Sequence, residues 1–217
     1  MNFDRQHQIF EPSKQRTKIH IIGAGSTGSF ITLTLAKLGF ENIKVTDFDK
    51  IEDVNIPNQF YRLSDVEKYK VDALKEIVKD FTGTEIETEK IKIDENYNFD
   101  LNIDSLIVFC LDNMETRKLI YEKVKEYPIK LIDTRMGGEG YQIYTTDLNN
   151  TEETKRFETA LNGETKETEC GLKSAIYTIN SIASETTNII KKIDKGEKYP
   201  RVIKREMKSY NIIGRVK

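Results

Sequence analysis

Apolar positions along the chain fall into short runs and helical stripes that alternate with one another. Lys18–Ile22 is an apolar run ending in glycine, the pattern of a buried strand. In Ser26–Leu38, Phe30, Leu33, Thr34 and Leu38 recur near helical spacing, and Gly39 stops the pattern. Asn42–Val45 reads as a second strand running into Asp47, and Thr46–Ser64, with Pro57 and several Asn and Asp, as a long loop. Val66–Phe81 carries Val66, Tyr69, Ala73 and Ile77 on one helical face, and Ile86–Ile93 alternates like an outer strand. Ser105–Leu111 is almost wholly apolar and reads as a central parallel strand, with a helix at Asn113–Glu126 behind it. Lys130–Thr134 and Tyr141–Thr145 are two further strands.

Asp147–Glu169 breaks the rhythm. It is polar, rich in Thr and Glu, and reads as a mobile crossover loop. Leu172–Ile193 is the strongest helical pattern and is apolar over more than one narrow stripe, a face that is normally covered. The tail Lys195–Lys217 is basic, with an apolar patch at Tyr210–Ile213. The expected fold is α/β, a Rossmann-like, mostly parallel sheet with helices on both faces. The expected organisation is an arm over residues 1–17, a nucleotide-binding domain over 18–193 and a tail over 194–217.

Composition narrows the function. Lys+Arg is 34 and Asp+Glu 36, so near-neutrality gives no support for a nucleic-acid or anionic-membrane partner. No apolar run approaches the roughly 20 residues that span a bilayer, and Met1–Lys18 lacks the apolar core of a secretory signal. The two cysteines, Cys110 and Cys170, form no CxxC pair, so the chain reads as cytoplasmic with free thiols and no four-cysteine zinc site. Cys110 and His20 lie in predicted strands and read as core.

The chemistry begins at Gly23-Ala24-Gly25-Ser26-Thr27-Gly28, a G-x-G-x-x-G between a predicted strand and a predicted helix. Gly23 permits the tight turn, Gly25 lets backbone approach a phosphate, and Gly28 lets helix and strand pack closely. Free N–H groups and the helix dipole then favour an anion. Asp47 ends the second strand, where a carboxylate can accept from ribose hydroxyls. This element alone does not separate NAD from ATP.

Five elements in order narrow the choice: the glycine turn, Asp47-Phe48-Asp49, the loop Asn55-Ile56-Pro57-Asn58-Gln59-Phe60, Lys70 at a helix start, and Asp112-Asn113 after the central strand. Their order and spacing from about Arg5 to Ile193 resemble the ThiF/MoeB/HesA family of ubiquitin-activating-enzyme-like adenylyltransferases. The resemblance implies ATP and Mg2+ as cofactors and an acceptor that is a small ubiquitin-like or sulfur-carrier protein, or a peptide; with the broad apolar face of Leu172–Ile193 it also implies a homodimer. It implies that Asp47 and Asp49 hold the ribose side, that Asn55, Gln59 and Asn113 line the site, that Lys70 neutralises phosphate charge, and that Asp112 is the magnesium-side carboxylate. The plainer readings are a solvated lysine and a helix N-cap.

Arg5-Gln6 matches the family's N-terminal pair, whose arginine reaches a nucleotide in the partner subunit; the plainer reading is an arginine on a disordered terminus. Cys170, opening the long helix, is either an acceptor thiol for the activated carboxylate or incidental. The departure from the pattern is Asn58, which stands where the family has arginine; Arg62 is the nearest replacement cation. Arg135-Met136-Gly137-Gly138-Glu139 reads either as a substrate-tail site or as an Arg–Glu pair shaping a turn. Three functions follow: an adenylyltransferase, a non-catalytic partner of the same fold, and an NAD-dependent oxidoreductase.

Overall fold

The structure is a computed structural model that describes residues 1–163, 175–209 and 211–216. In chain order its strands and α-helices are β1 (Lys18–Ile22), α1 (Ser26–Leu38), β2 (Ile43–Thr46), α2 (Lys70–Thr82), β3 (Glu87–Glu89), β4 (Ser105–Phe109), α3 (Met114–Val124), β5 (Lys130–Gly137), β6 (Gly140–Asp147), α4 (Thr151–Asn162), α5 (Ile176–Asp194), β7 (Pro200–Glu206) and β8 (Asn211–Val216). They form one sheet of eight strands in the order β3-β2-β1-β4-β5-β6-β7-β8. The run from β3 to β5 is parallel, and β6, β7 and β8 continue it antiparallel.

Every residue of β4 is buried. Leu106 and Val108 enter the core with residues of α1, α2 and α5, while Ile107 and Phe109 enter the one with α3 and α4. A strand covered on both faces favours apolar side chains throughout, which is why residues 106–109 are a continuous apolar run after Ser105, whose hydroxyl is bonded to Asn102. β1 lies beside β4 in register from Lys18↔Ser105 to Ile22↔Phe109. The chain order reverses between these two strands, and their carboxyl ends open the crevice where such sheets bind ligands.

Four expectations need correction. The helix expected from Val66 begins at Lys70, because Glu67 takes a left-handed φ of 72° and breaks the path before it. The polar stretch after β6 is not all loop. Asn150 caps α4 by accepting from the amides of Glu152 and Glu153 at 3.0 and 3.2 Å, and α4 buries Glu153, Phe157 and Leu161. The remainder of that stretch, and Leu172 at the expected start of the long helix, lie outside the described residues.

The basic tail is no appendage. β7 and β8 extend the sheet, and Arg201 ties β7 to α4 through Glu153 at 2.6 Å. Finally, the broad apolar face of α5 is covered within one chain, by α1 and by β5 and β6. It therefore gives no argument for a dimer. The N-terminal arm is packed: Phe10 is buried and stacks on Phe40 at 4.9 Å, and Gln6 Nε2 donates to the Leu38 carbonyl at 2.6 Å. Among the described residues no helix is long and apolar enough to cross a membrane.

Candidate nucleotide site

The glycine turn leaves β1 and starts α1. Gly23 has a φ of 97°, and a Cβ there would lie 2.3 Å from the Cys110 carbonyl oxygen at the end of β4. A Cβ on Gly28 would lie 1.9 Å from the Gly23 carbonyl oxygen. Both glycines are thus required for the close packing of strand, turn and helix. Gly25 differs, since a Cβ there meets no atom within 4 Å and would fill open space above the turn.

Gly25 is also the N-cap of α1, so no side chain caps this helix, and its first turn holds no acidic residue. The opening amides of a helix have no partner inside it. In α3 and α4 an asparagine accepts from them. In α1 no side chain caps them, and an uncapped helix start is suited to an anion.

Ala24 is pinned from both sides. Its amide donates to Asp47 Oδ2 at 2.6 Å, and its carbonyl accepts from the Tyr61 hydroxyl at 2.6 Å. Asp47 Oδ1 accepts from the Asp49 amide at 2.8 Å. Burial pushes the Asp47 carboxyl upward, and these two amides pull it back. Burial also holds the Tyr61 phenol well above its ordinary value, with Asp47 adding to it. Tyr61 was not singled out from sequence. Its aromatic ring followed Phe60 in a loop without a period, so nothing marked its hydroxyl as the one beneath the turn.

Lys70 is the first residue of α2, and a cation is unfavourable at that end of the macrodipole. It is nonetheless buried, with its ammonium 2.8 Å from Asp49 Oδ2 and its amide donating to the Asp49 carbonyl at 2.9 Å. A solvated surface lysine is therefore excluded. Asn55 shapes the preceding loop: its Oδ1 accepts from the Glu52 amide at 3.0 Å, and its carbonyl accepts from the amides of Asn58 and Gln59 at 3.0 and 2.9 Å. Gln59 Oε1 is buried without a hydrogen-bond partner. Arg62 pairs with Asp80 at 2.6 Å. Asp80 lies ten residues along α2 from Lys70, about 15 Å by helical rise, so Arg62 is not placed to replace the arginine that Asn58 lacks.

Asp112 follows β4 and is exposed. The cap of α3 is Asn113, whose Oδ1 accepts from the Thr116 amide at 2.8 Å. Asp112 is thereby released from the capping role, and its Oδ1 accepts from Asn113 Nδ2 at 3.0 Å. Among the described residues no group of three or more His, Cys, Asp or Glu could hold a metal by itself. Magnesium commonly takes one or two carboxylates with substrate phosphates completing its shell, so a single exposed carboxylate at this end of the sheet is compatible with that ion.

The structure therefore brings the glycine turn, Asp47, Asp49, Lys70 and Asp112 to one end of the sheet. It does not bring Arg5 there. Arg5 is exposed on the arm packed against the C-terminal end of α1, while the turn is at its N-terminal end, about 20 Å away by helical rise. Cys170 lies outside the described residues. His20 and Cys110 are held in the fold as expected. Burial pushes the His20 imidazole down to about 4 and the Cys110 thiol up to about 12. Arg135 follows neither expectation: it bonds Asp133 Oδ2 at 2.7 Å and the Ala160 carbonyl at 2.9 Å, while Glu139 accepts from the Tyr177 hydroxyl.

A model described as the ThiF family matches residues 5–214. The chain belongs to the ThiF family. It is 36% identical over 105 residues to the NEDD8-activating enzyme E1 catalytic subunit of Arabidopsis thaliana, covering 48% of this chain and 23% of that protein. The chain thus spans about a quarter of the length of the curated relatives it matches. Among solved structures, PaaA superposes with a TM-score of 0.77 at 19% identity, over 99% of this chain and 69% of that one. E. coli MccB, solved with AMPCPP and MccA, superposes with a TM-score of 0.73 at 16% identity, over 94% of this chain and 65% of that one. At these identities the likeness to the solved structures shows the fold alone.

Proposed function

We propose that this ThiF-family chain is an ATP-dependent adenylyltransferase that activates the C-terminal carboxylate of a small ubiquitin-like or sulfur-carrier protein, or of a peptide. The observation that carries the reading is the uncapped glycine turn with Asp47, Lys70 and Asp112 around one strand-end crevice. In the reaction an acceptor carboxylate oxygen bonds to the α-phosphorus, the bond from that phosphorus to the bridging oxygen breaks, and pyrophosphate leaves with the electron pair. Little covalent work falls to the protein, so its part is alignment and charge neutralisation.

The amides opening α1 cradle phosphate oxygens, and Asp47, with acceptor capacity left on both oxygens, receives ribose hydroxyls. Lys70, held by Asp49, offsets negative charge as pyrophosphate departs. Asp112 would hold magnesium, which supplies charge neutralisation on the phosphates. Asn55, Gln59 and Asn113 line the same end. Arg5 serves only across a homodimer, since it stands far from the turn of its own chain. In a later step the Cys170 thiolate takes the acyl group as a thioester, the acyl–phosphate bond breaking and AMP leaving.

Asn58 and the distant Arg62–Asp80 pair favour one second reading, a nucleotide-binding partner without catalysis. ATP–pyrophosphate exchange with candidate acceptors separates the two. The first reading expects exchange that Asp112→Ala suppresses; ATP binding without exchange for any acceptor would replace it with the second.

A further inference from the structure

Asp112 sits on a turn whose backbone is held by a buried arginine. Arg117 lies one turn into α3, and its guanidinium Nη2 donates to the Leu111 carbonyl at 2.6 Å and the Thr134 carbonyl at 2.8 Å. Nη1 donates to the Asn113 carbonyl at 3.3 Å, and Nε donates to Asp133 Oδ1 at 2.8 Å. Two of these carbonyls, Leu111 and Asn113, belong to the residues on either side of Asp112. The other oxygen of Asp133 carries Arg135, which reaches the Ala160 carbonyl in the last turn of α4.

Stability alone does not call for this arrangement. The helix is already capped by Asn113, and burying an ion pair commonly gains no more than a well-packed apolar group would. The planar guanidinium does what an apolar side chain or a lysine does not: it holds several carbonyls in fixed relative positions. We propose that Arg117 is a positioning residue, fixing the Leu111–Asn113 backbone so that the Asp112 carboxylate meets a metal–triphosphate in one geometry. The inference rests on the reading of Asp112 as the metal-side carboxylate.

The test measures Mn2+ binding to the full chain in the presence of AMPCPP, from the loss of the free-ion electron paramagnetic resonance signal. Wild type is compared with Arg117→Met, Arg117→Lys and Asp112→Ala. Loss of a group that orients a metal ligand typically weakens metal affinity about 10–100-fold, and Arg117→Met is expected in that range with metal-free AMPCPP affinity unchanged. Arg117→Lys keeps a cation beside Asp133 but not the fork, so it retains the fold and shows most of the same loss. The Mg2+ concentration giving half-maximal pyrophosphate exchange rises by a matching factor, whereas a general loss of folded protein lowers the maximum without moving that midpoint.

If Asp112→Ala weakens Mn2+ binding and a folded Arg117 variant does not, the positioning role is overturned and the site reading stands. If Arg117→Met fails to fold, Arg117→Lys decides on the same criterion. If Asp112→Ala leaves Mn2+ binding at the wild-type level, the metal assignment fails and takes this inference with it.

Discussion

The Asp133 carboxylate is fully buried between two guanidinium groups, Arg117 at 2.8 Å and Arg135 at 2.7 Å, which are themselves almost inaccessible. Asp133→Asn keeps the shape and removes the only negative charge of the trio, leaving two buried cations facing each other. Stripping one partner from a buried pair costs about 3–5 kcal/mol. For a chain of this size each kcal/mol moves the midpoint of thermal unfolding by about 2–4 °C, so a drop of about 6–20 °C is expected. Arg117→Met is predicted to be milder, because it leaves Asp133 and Arg135 as a balanced pair. Its cost is the orphaning of buried carbonyls, about 1–3 kcal/mol. Urea unfolding of both variants gives the comparison. The electrostatic reasoning is refuted if Asp133→Asn is within about 1 kcal/mol of wild type, or if Arg117→Met proves the more damaging.

Lys70→Ala should lower the pyrophosphate-exchange rate more than ATP affinity, by about a hundredfold to a thousandfold, since its charge matters most as pyrophosphate leaves; equal losses in both would make it a ground-state binding residue. Tyr61→Phe removes the hydroxyl beneath Ala24 and should destabilise the fold by about 1–3 kcal/mol while weakening ATP binding, measured by unfolding and calorimetry. His20 is buried beside Thr46, with its folded value near 4 against 6.5 when unfolded. The unfolded chain therefore binds the proton first as pH falls. This neutral histidine costs no stability above pH 6.5 and progressively destabilises the fold between pH 6.5 and 4, by up to about 3 kcal/mol. His20→Leu should flatten that part of the pH–stability curve; an unchanged slope would assign acid sensitivity to other groups.

Much of the fold was legible because its signals are local. The bounds of α1 follow from the Gly25–Gly39 frame, and β4 announces itself by its unbroken apolar run. The failures have physical causes. α4 buries only Phe157 and Leu161 among apolar side chains, so its period is too sparse to read without the sheet beneath it. β7 carries Arg201, Lys204 and Arg205, and at the far side of the sheet that charge hides a strand whose pairing is long-range. The wide face of α5 is covered by α1 and the sheet within the same chain, so it says nothing about a second subunit.

The site shows the same division. The glycine turn, Asp47, Lys70 and Asp112 were singled out by motif and order, and the fold places them at the same end of the sheet. Tyr61, Arg117 and Asp133 were missed, and Arg135 was singled out for other roles than its pairing with Asp133, since a charged side chain destined for burial looks like a solvated one until its partner is known. Arg62 shows the converse: near Asn58 in sequence, its guanidinium is engaged by Asp80 toward the far end of α2.

The central claim is that the Gly23–Gly28 turn receives the phosphates of ATP. Gly25→Ala tests it most directly, because the added methyl meets no atom within 4 Å beyond its own chain neighbours and, if the claim holds, enters the space the phosphates would take. Calorimetric titration of wild type and variant with ATP–Mg and with NAD, beside their thermal unfolding, is the measurement. The account predicts that wild type binds ATP and not NAD, and that Gly25→Ala keeps its melting temperature while losing most of its ATP affinity. Undiminished ATP affinity in the variant, or binding of NAD in preference to ATP by wild type, would contradict it.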